Sequence, residues 1–275
     1  MKRILELGVM VEPEAAELLK NEKIASAVFE RLRVTKERPF VLTRAEAIAL
    51  ASAPKLLKEY KNMTNYSIQD MISSYSNRYK AMQKMLLGKV ELKNVVSIRN
   101  GRGSVAVIGL KRDGYIEDIS GRERLITEVK LLDEDAIGVL GFAGSEGIRA
   151  DRIIFPDIGL KEVALAPVKI TIGKDVPLQG TALYECLGVK ILVHDADYSA
   201  WQKIGVAEKN VPLEMLKRRH LNMPPNDVIE EVPDIFIVTA GEQFVQNYKG
   251  TTIIGTPKGG VFEIDLQTRD VAYKV

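Results

Sequence analysis

The spacing of apolar residues changes near Val90 from a helical period to an alternating one, and this change constrains the possible folds most. Over about 70 residues, five short apolar runs follow, separated by turns that contain glycine or aspartate. The runs are NVVSIRN, GSVAVIGLKRDG, RLITEVKLLD, DAIGVLGFAG and GIRADRIIFPDI. Short strands avoid exposed edges when the sheet closes on itself. The pattern therefore predicts a small five-stranded β-barrel over residues 89–158.

The first 53 residues have the spacing of short helices with one brief strand. Ile24, Val28 and Leu32 repeat every four residues and predict one apolar helix face. Thr43, with a glutamate three residues later, has the pattern of a capping box at the start of another helix. Residues 1–53 are therefore predicted to form a helical N-terminal domain.

Residues 54–88 are predicted to connect this domain to the barrel. Their first part, residues 54–76, is polar and mixed and predicts a linker or a tethered surface segment. A helix is predicted to follow, because Tyr75, Tyr79, Met82 and Leu86 repeat at helical spacing. The glycine after this stripe, at position 88, is typical of a helix C-terminus.

Residues 159–275 alternate between strand and helix patterns, which predicts a compact α/β domain around one sheet. Its predicted helices are PLQGTALYECLG and VPLEMLKRRHL. Its predicted strands include VKITIG, VKILVHDAD, PDIFIVTAG, GTTIIGT and GVFEIDLQ. Cys186, in the first of these helices, is predicted to lie in the core. In the second, the basic run before His220 fits a helix C-terminus better than a phosphate clamp.

The composition excludes several classes of protein. The 275 residues are 46% hydrophobic and 28% charged with a net charge of +2, which fits an ordinary globular protein rather than a strongly basic nucleic-acid binder. No run of about 18 apolar residues predicts a membrane span, and the N-terminal stretch lacks the pattern of a secretory signal. The single cysteine predicts a reducing, cytoplasmic environment.

Metal chemistry is limited by the histidine count, because the chain has only two histidines, His194 and His220. A dinuclear hydrolase site needs several histidine, aspartate and asparagine ligands that converge on both ions. The loop after the apolar strand IFIV, where a catalytic group would be expected, has no histidine, no cysteine and one acid, Glu242. These residues predict neither a metal site nor a cofactor.

Five stretches occur in the order and spacing of a known family. They are SNRYKAMQKMLLGKVELKNVVSI, ADRIIFPDI, LEMLKRRHL, VIEEVPDIF and NYKGTTIIGT. They resemble the small subunit of archaeal DNA polymerase D, which is related to the B-subunits of eukaryotic replicative polymerases. The resemblance is good over about 75–160 and 185–265 and loose before residue 54. It implies a multidomain α+β fold with a helical N-terminal domain, an OB-type barrel and a calcineurin-like phosphoesterase domain.

The departures from this family concern its metal ligands. Nuclease-active members carry DxH, GDxxD and GNHD motifs after the barrel, and none of these occurs in residues 160–190. His194 aligns with the histidine of the family's YHG motif and is interpreted as a remnant ligand. Where the family has GHxH, Thr239 and Ala240 stand near the first histidine position and Glu242 near the second. The resemblance therefore implies a reduced, inactive phosphoesterase-like domain over 159–275, with no catalytic and no metal-binding residues.

Two groups of residues are candidates for binding. Weak nucleic-acid binding is predicted for six basic residues of the barrel region, in which Tyr115 is the one aromatic residue between positions 88 and 130 that could stack on a base. They are Arg99, Arg102, Lys111, Arg112, Arg122 and Arg124. Tyr198 and Trp201 follow a predicted strand in a polar context and are candidate interface residues, although a half-buried cap on the sheet is an equal alternative. Asp195 and Asp197 could share one Mg²⁺, but no third ligand is evident.

Together these observations predict a non-catalytic accessory or scaffold subunit in archaeal DNA replication or repair. Its expected partners are a polymerase large subunit or another replication protein, with DNA as a further candidate, at the nucleoid and without a membrane contact. One alternative is a stand-alone nucleic-acid-binding protein that uses the barrel. Another, less favoured, is a surviving metal-dependent 3′–5′ exonuclease with a rearranged site around His194, Asp195, Asp197 and Glu242.

Overall fold

The computed structural model describes residues 2–60, 67–87, 168–195, 205–221 and 228–274, residues 164, 198, 201 and 202, and the backbone of seven strands between 95 and 152. The helices are α1 (Lys2–Leu5), α2 (Pro13–Leu18), α3 (Glu22–Val34), α4 (Arg44–Ser52), α5 (Ile68–Leu87) and α6 (Val211–Arg218). Among the described helices, none combines the length and apolarity needed to cross a membrane.

The strands before residue 160 are β1 (Met10–Val11), β2 (Val41–Leu42), β3 (Lys55–Tyr60), β4 (Val95–Val96), β5 (Gly103–Val107), β6 (Gly109–Arg112), β7 (Tyr115–Asp118), β8 (Ile126–Leu131), β9 (Leu140–Gly144) and β10 (Gly147–Arg152). The later strands are β11 (Lys169–Ile172), β12 (Thr181–Cys186), β13 (Val189–His194), β14 (Ile235–Thr239), β15 (Phe244–Tyr248), β16 (Thr251–Thr256), β17 (Val261–Asp265) and β18 (Val271–Lys274). The chain is thus a mixed α/β protein with several sheets.

The chain divides into two compact units. The first consists of Met1–Glu59, Leu160–Lys209 and Pro233–Val275, and the second of Tyr60–Gly159 and Asn210–Val232. The finer division into the four segments 1–53, 54–88, 89–158 and 159–275 remains a prediction.

In the first unit, the helical head forms as its local sequence predicts. Ile24, Val28 and Leu32 lie on the buried face of α3. At the start of α4 the Glu46 backbone N–H donates to the Thr43 hydroxyl (3.2 Å), and the Thr43 N–H donates to the Glu46 carboxylate (2.9 Å). The predicted capping box is therefore confirmed.

A six-stranded sheet, in the order β15-β16-β14-β13-β12-β3, forms the centre of this unit. The middle strands β13, β14 and β16 are parallel, whereas β12 and β15 run antiparallel to their neighbours β13 and β16. A smaller sheet, β11-β17-β18, adds three antiparallel strands, and the hydroxyl of Tyr273 in β18 donates to the Gly255 carbonyl in β16 (3.1 Å).

Two predictions for this sheet were wrong. The first part of the predicted linker is strand β3, at the sheet edge; its charged residues suit an exposed edge strand and hide the strand pattern. The segment around Cys186, predicted to be a helix, is strand β12. Leu187 and Gly188 have positive φ (50° and 86°) and form a tight hairpin turn into β13. Cys186 nevertheless lies in the core, as predicted.

Helices and strands of the first unit share one hydrophobic core. It includes Leu32 and Leu42 of the head together with Ile170, Ile191 and Ile235 of the two sheets. The Cys186 thiol also donates to the Ser52 carbonyl at the end of α4 (2.8 Å). The head and the sheet are therefore parts of one folded body.

The second unit contains α5, α6 and a seven-stranded sheet in the order β4-β5-β9-β10-β8-β7-β6. The sequence predicts five strands here; the second predicted strand is divided into β5 and β6, and the pattern missed β7. The described strand pairings do not close the sheet into a barrel.

At the end of α6 the backbone N–H of His220 donates to the Met215 carbonyl (3.0 Å), and the Nε2 atom of His220 lies 3.2 Å from the Ser74 hydroxyl of α5.

Candidate functional site

The candidate site lies where the carboxyl ends of β13, β14 and β16 meet. Because these strands are parallel and adjacent, His194, Thr239 and Thr256, their last residues, lie side by side at one edge of the sheet. Thr181, the first residue of antiparallel β12, is paired with His194 at the same edge. Ligands of open α/β sheets bind at this edge, so the topology places these residues in a favourable position for a site.

His194 is buried, with 2% of its surface exposed. Its Nδ1 is 2.8 Å from the Thr181 hydroxyl, and its ring stacks on Phe236 at 6.4 Å between centroids. A histidine bound in this way is fixed by its neighbours in the sheet. The structure thus places the predicted remnant ligand at the sheet edge, inside the protein.

Asp195, the next residue, receives two donors from other strand ends. The Thr239 hydroxyl donates to one carboxylate oxygen (3.1 Å), and the Lys258 ammonium lies 3.8 Å from the other. The Asp195 backbone N–H donates to the Gly180 carbonyl (3.0 Å). These contacts use both carboxylate oxygens within the protein.

The loop after β14 is held by its own backbone. The Ala240 N–H donates to the Thr256 carbonyl (2.8 Å), and the Gly241 N–H donates to the Glu208 carboxylate (2.9 Å). Glu242 is exposed on this loop. A carboxylate from a distant segment thus anchors the loop that the resemblance aligns with the family's GHxH motif.

Tyr198 and Trp201, the predicted interface residues, are both buried, with 7% and 4% of their surfaces exposed. The Tyr198 hydroxyl has no hydrogen-bond partner among the described residues. Burial raises the pKa of Tyr198, and the nearby Glu208 and Asp195 carboxylates raise it further. A partner could reach these two side chains only after a rearrangement of their surroundings, and their role at an interface remains a prediction.

Among the described residues, no three histidine, cysteine, aspartate or glutamate side chains are grouped as metal ligands. Asp197, a member of the weak Mg²⁺ pair, lies outside the described residues. The expectations of no metal, no cofactor and no catalytic residue remain predictions.

In the basic run at the end of α6, Lys217 pairs with Glu214 (3.2 Å), and Arg219 is buried and has the left-handed backbone conformation of a helix cap (φ 54°).

The structure describes no side chain of the six basic residues that are predicted to bind nucleic acid. Arg99, Arg102, Arg122 and Arg124 lie outside the described residues, and only the backbone of Lys111 and Arg112, in β6, is described.

The sequence did not indicate three residues of the site: Thr181, Glu208 and Lys258. Each comes from a different segment and belongs to no motif. Thr181, at the start of β12, lies in a segment whose sequence pattern predicts a helix.

No protein-family model matches the chain. The chain is similar to the DNA polymerase II small subunit of Archaeoglobus fulgidus, with 25% identity over 203 aligned residues. The alignment covers 57% of this chain and 42% of that protein, so the chain matches less than half of its relative's length. This similarity agrees with the predicted resemblance to archaeal polymerase small subunits.

Proposed function

We propose that this chain is a non-catalytic accessory subunit in archaeal DNA replication, which acts by binding other replication proteins. The similarity to a DNA polymerase small subunit supports the replication role and indicates a polymerase large subunit as the partner. In this proposal the first unit is a reduced phosphoesterase frame and the second unit carries an OB-type barrel.

One observation carries the non-catalytic part: the side chains at the sheet edge bind one another. His194 is buried against Thr181, and Asp195 is contacted by Thr239 and Lys258. A hydrolytic metal site needs carboxylate and imidazole ligands that converge on one open position. The Lys258 ammonium places a positive charge, rather than an open ligand position, beside Asp195.

The order of the seven-stranded sheet supports the barrel. The strands β5 and β6 are separated only by position 108, and they lie at opposite ends of the run β5-β9-β10-β8-β7-β6. If they are treated as one bent strand, the run becomes a ring of five strands. In this ring β8 and β10 are parallel and the other described pairs are antiparallel. A five-stranded ring is the strand count of an OB fold.

A nuclease assay tests the non-catalytic proposal. The purified chain is mixed with Mn²⁺ and a 5′-labelled single-stranded oligonucleotide, and the labelled DNA is expected to keep its full length. An active 3′–5′ exonuclease in the same buffer is the positive control and should shorten the labelled DNA. Calorimetric titration with Mn²⁺ is expected to give no site tighter than about millimolar. Degradation that disappears in an Asp195→Asn variant would contradict the proposal, because the activity would then depend on this sheet edge.

Co-expression tests the partner. The chain is expected to co-purify with the DNA polymerase large subunit encoded by the same genome, and the complex to persist through size-exclusion chromatography. Two separate peaks at tens of micromolar of each protein would contradict this part of the proposal, whatever the nuclease assay gives.

A further inference from the structure

Strand β15 is an edge of the six-stranded sheet, and β3 is the opposite edge. Within the described residues β15 pairs only with β16, in an antiparallel hairpin. Val245, its second residue, is 47% exposed. A strand in this position offers unpaired backbone groups to a further strand.

The sequence of β15 is unusual for an exposed edge. It reads FVQNY and has no charged residue, proline or glycine. The other outer strands of the first unit's two larger sheets each carry lysine: β3 reads KLLKEY, β11 reads KITI and β18 reads VAYK. Edge lysines oppose pairing with another chain, and short uncharged segments of high β-propensity favour it. Of these four edges, β15 is the one without such protection.

The hairpin turn determines which backbone groups of β15 point outward. Lys249 and Gly250 both have positive φ (45° and 93°), as in a two-residue type I′ turn between the paired residues Tyr248 and Thr251. The residues that flank such a turn exchange two hydrogen bonds, and the pattern then alternates along the strand. The N–H and C=O groups of Val245 and Asn247 therefore point away from β16.

This pattern is self-complementary. If two β15 strands run antiparallel with Gln246 opposite the second copy's Gln246, Val245 and the second copy's Asn247 can exchange two hydrogen bonds, and symmetry adds two more. Phe244 then stands opposite the second copy's Tyr248, an aromatic cross-strand pair.

The flanking charges favour the same arrangement. Glu242 precedes the strand and Lys249 follows it, and both are exposed. Antiparallel pairing brings the glutamate end of one copy to the lysine end of the other, whereas parallel pairing would bring like charges together. We propose that two copies of this chain associate through antiparallel pairing of their β15 edges around Gln246.

A cysteine placed at the symmetry axis tests the register directly. Opposed residues of this non-hydrogen-bonded type have Cα atoms about 4.5 Å apart, within the range of a disulfide. Gln246→Cys is therefore expected to form a covalent dimer, twice the 30.6 kDa of the chain, on mild oxidation. Leu57→Cys, 37% exposed on the opposite edge β3, is the matched control and should stay monomeric. The native Cys186 is buried and should contribute little background.

Sedimentation equilibrium of the unmodified chain tests the association itself. Because pairing through one strand forms a small interface, a monomer–dimer equilibrium is expected at about 10–300 μM. Glu242→Lys or Lys249→Glu alone should weaken the dimer about threefold or more, and the double exchange should restore it. A monomer at every concentration, equal crosslinking of both cysteine variants, or no rescue by the double exchange would each overturn the proposal. If this edge instead binds a strand from a different protein, the pure chain will stay monomeric, and that result also overturns the proposal.

Discussion

The aromatic ring of Phe244 lies directly over Gly255, its cross-strand partner in β16. A Cβ atom added at Gly255 would collide with three carbon atoms of that ring. Glycine at position 255 is therefore needed for the close approach of the Phe244 ring. The ring covers the backbone of β16 at the place where a side chain of residue 255 would lie.

Gly255→Ala is expected to lower the free energy of unfolding by about 1–3 kcal/mol, because the new methyl group displaces a packed ring. Urea unfolding measures the change. The double variant Phe244→Ala/Gly255→Ala should lose clearly less than the sum of the two single variants, since removal of the ring removes the collision. Additive losses would show that the ring is not what requires glycine.

The contacts of Asp195 are expected to differ in strength. Thr239→Val removes a buried hydroxyl donor and should cost about 1 kcal/mol. Lys258→Ala removes an ammonium whose side chain is 82% exposed and should cost less than about 0.5 kcal/mol. Chemical unfolding at neutral pH gives both values. A larger loss for the lysine variant would mean that its charge, rather than the hydroxyl, holds the site together.

Cys186 is expected to be unreactive in the folded protein. Burial, with smaller contributions from the Asp175 and Glu185 carboxylates, raises the pKa of its thiol to about 12, so almost no thiolate is present at pH 8. Labelling with an aromatic disulfide reagent should be at least about 100-fold slower in buffer than in denaturing urea. Equal rates would indicate that the end of β12 opens readily. The Leu57→Cys variant, at a position of β3 that is 37% exposed, serves as the reactive control.

Asp265 is expected to make stability depend on acid. Its carboxylate accepts the backbone N–H groups of Thr268 (3.0 Å) and Gln267 (2.8 Å). The Thr268 hydrogen bond lowers the pKa of Asp265 most, and Gln267 and Lys169 add to this. A carboxylate with a lower pKa in the folded state than in the unfolded state stabilises the folded protein at a pH above the unfolded-state pKa, which is near 4. This stabilisation is lost as the pH falls through the folded-state pKa.

The urea midpoint should accordingly fall between pH 5 and pH 2, and by less in Asp265→Asn, which keeps the acceptor oxygen but does not titrate. Glu17→Gln, in an exposed pair with Lys20, is the control and should keep the full dependence. An Asp265→Asn variant with the same pH slope as the unmodified chain would contradict this assignment.

Local signals predicted the head well. Each of these signals joins residues that are at most four positions apart, so one segment alone decides whether the feature forms. The signals are the repeat of Ile24, Val28 and Leu32 and the pair of Thr43 and Glu46. Strand β12 was missed because its apolar residues give no clear period, and β3 because its charges resemble a linker. Whether such segments become strands depends on the neighbours that pair with them.

The site was predicted only in its position. The sequence indicated that His194 ends a buried strand and that a loop follows the next strand. It could not indicate that Glu208 reaches Gly241, 33 residues away, or that Lys258 approaches Asp195. Such pairs leave no periodic trace in one sequence, because the fold brings together segments that are distant in the chain.

The shared core of the head and the sheet has a consequence for biosynthesis. Residues 2–60 are translated before Ile170 and Ile235, which belong to the same hydrophobic core as Leu32 and Leu42. The shared core is therefore incomplete until the strands that follow position 168 have also been made. Nascent chains of this protein therefore depend on chaperone protection for longer than the small size of the head would suggest.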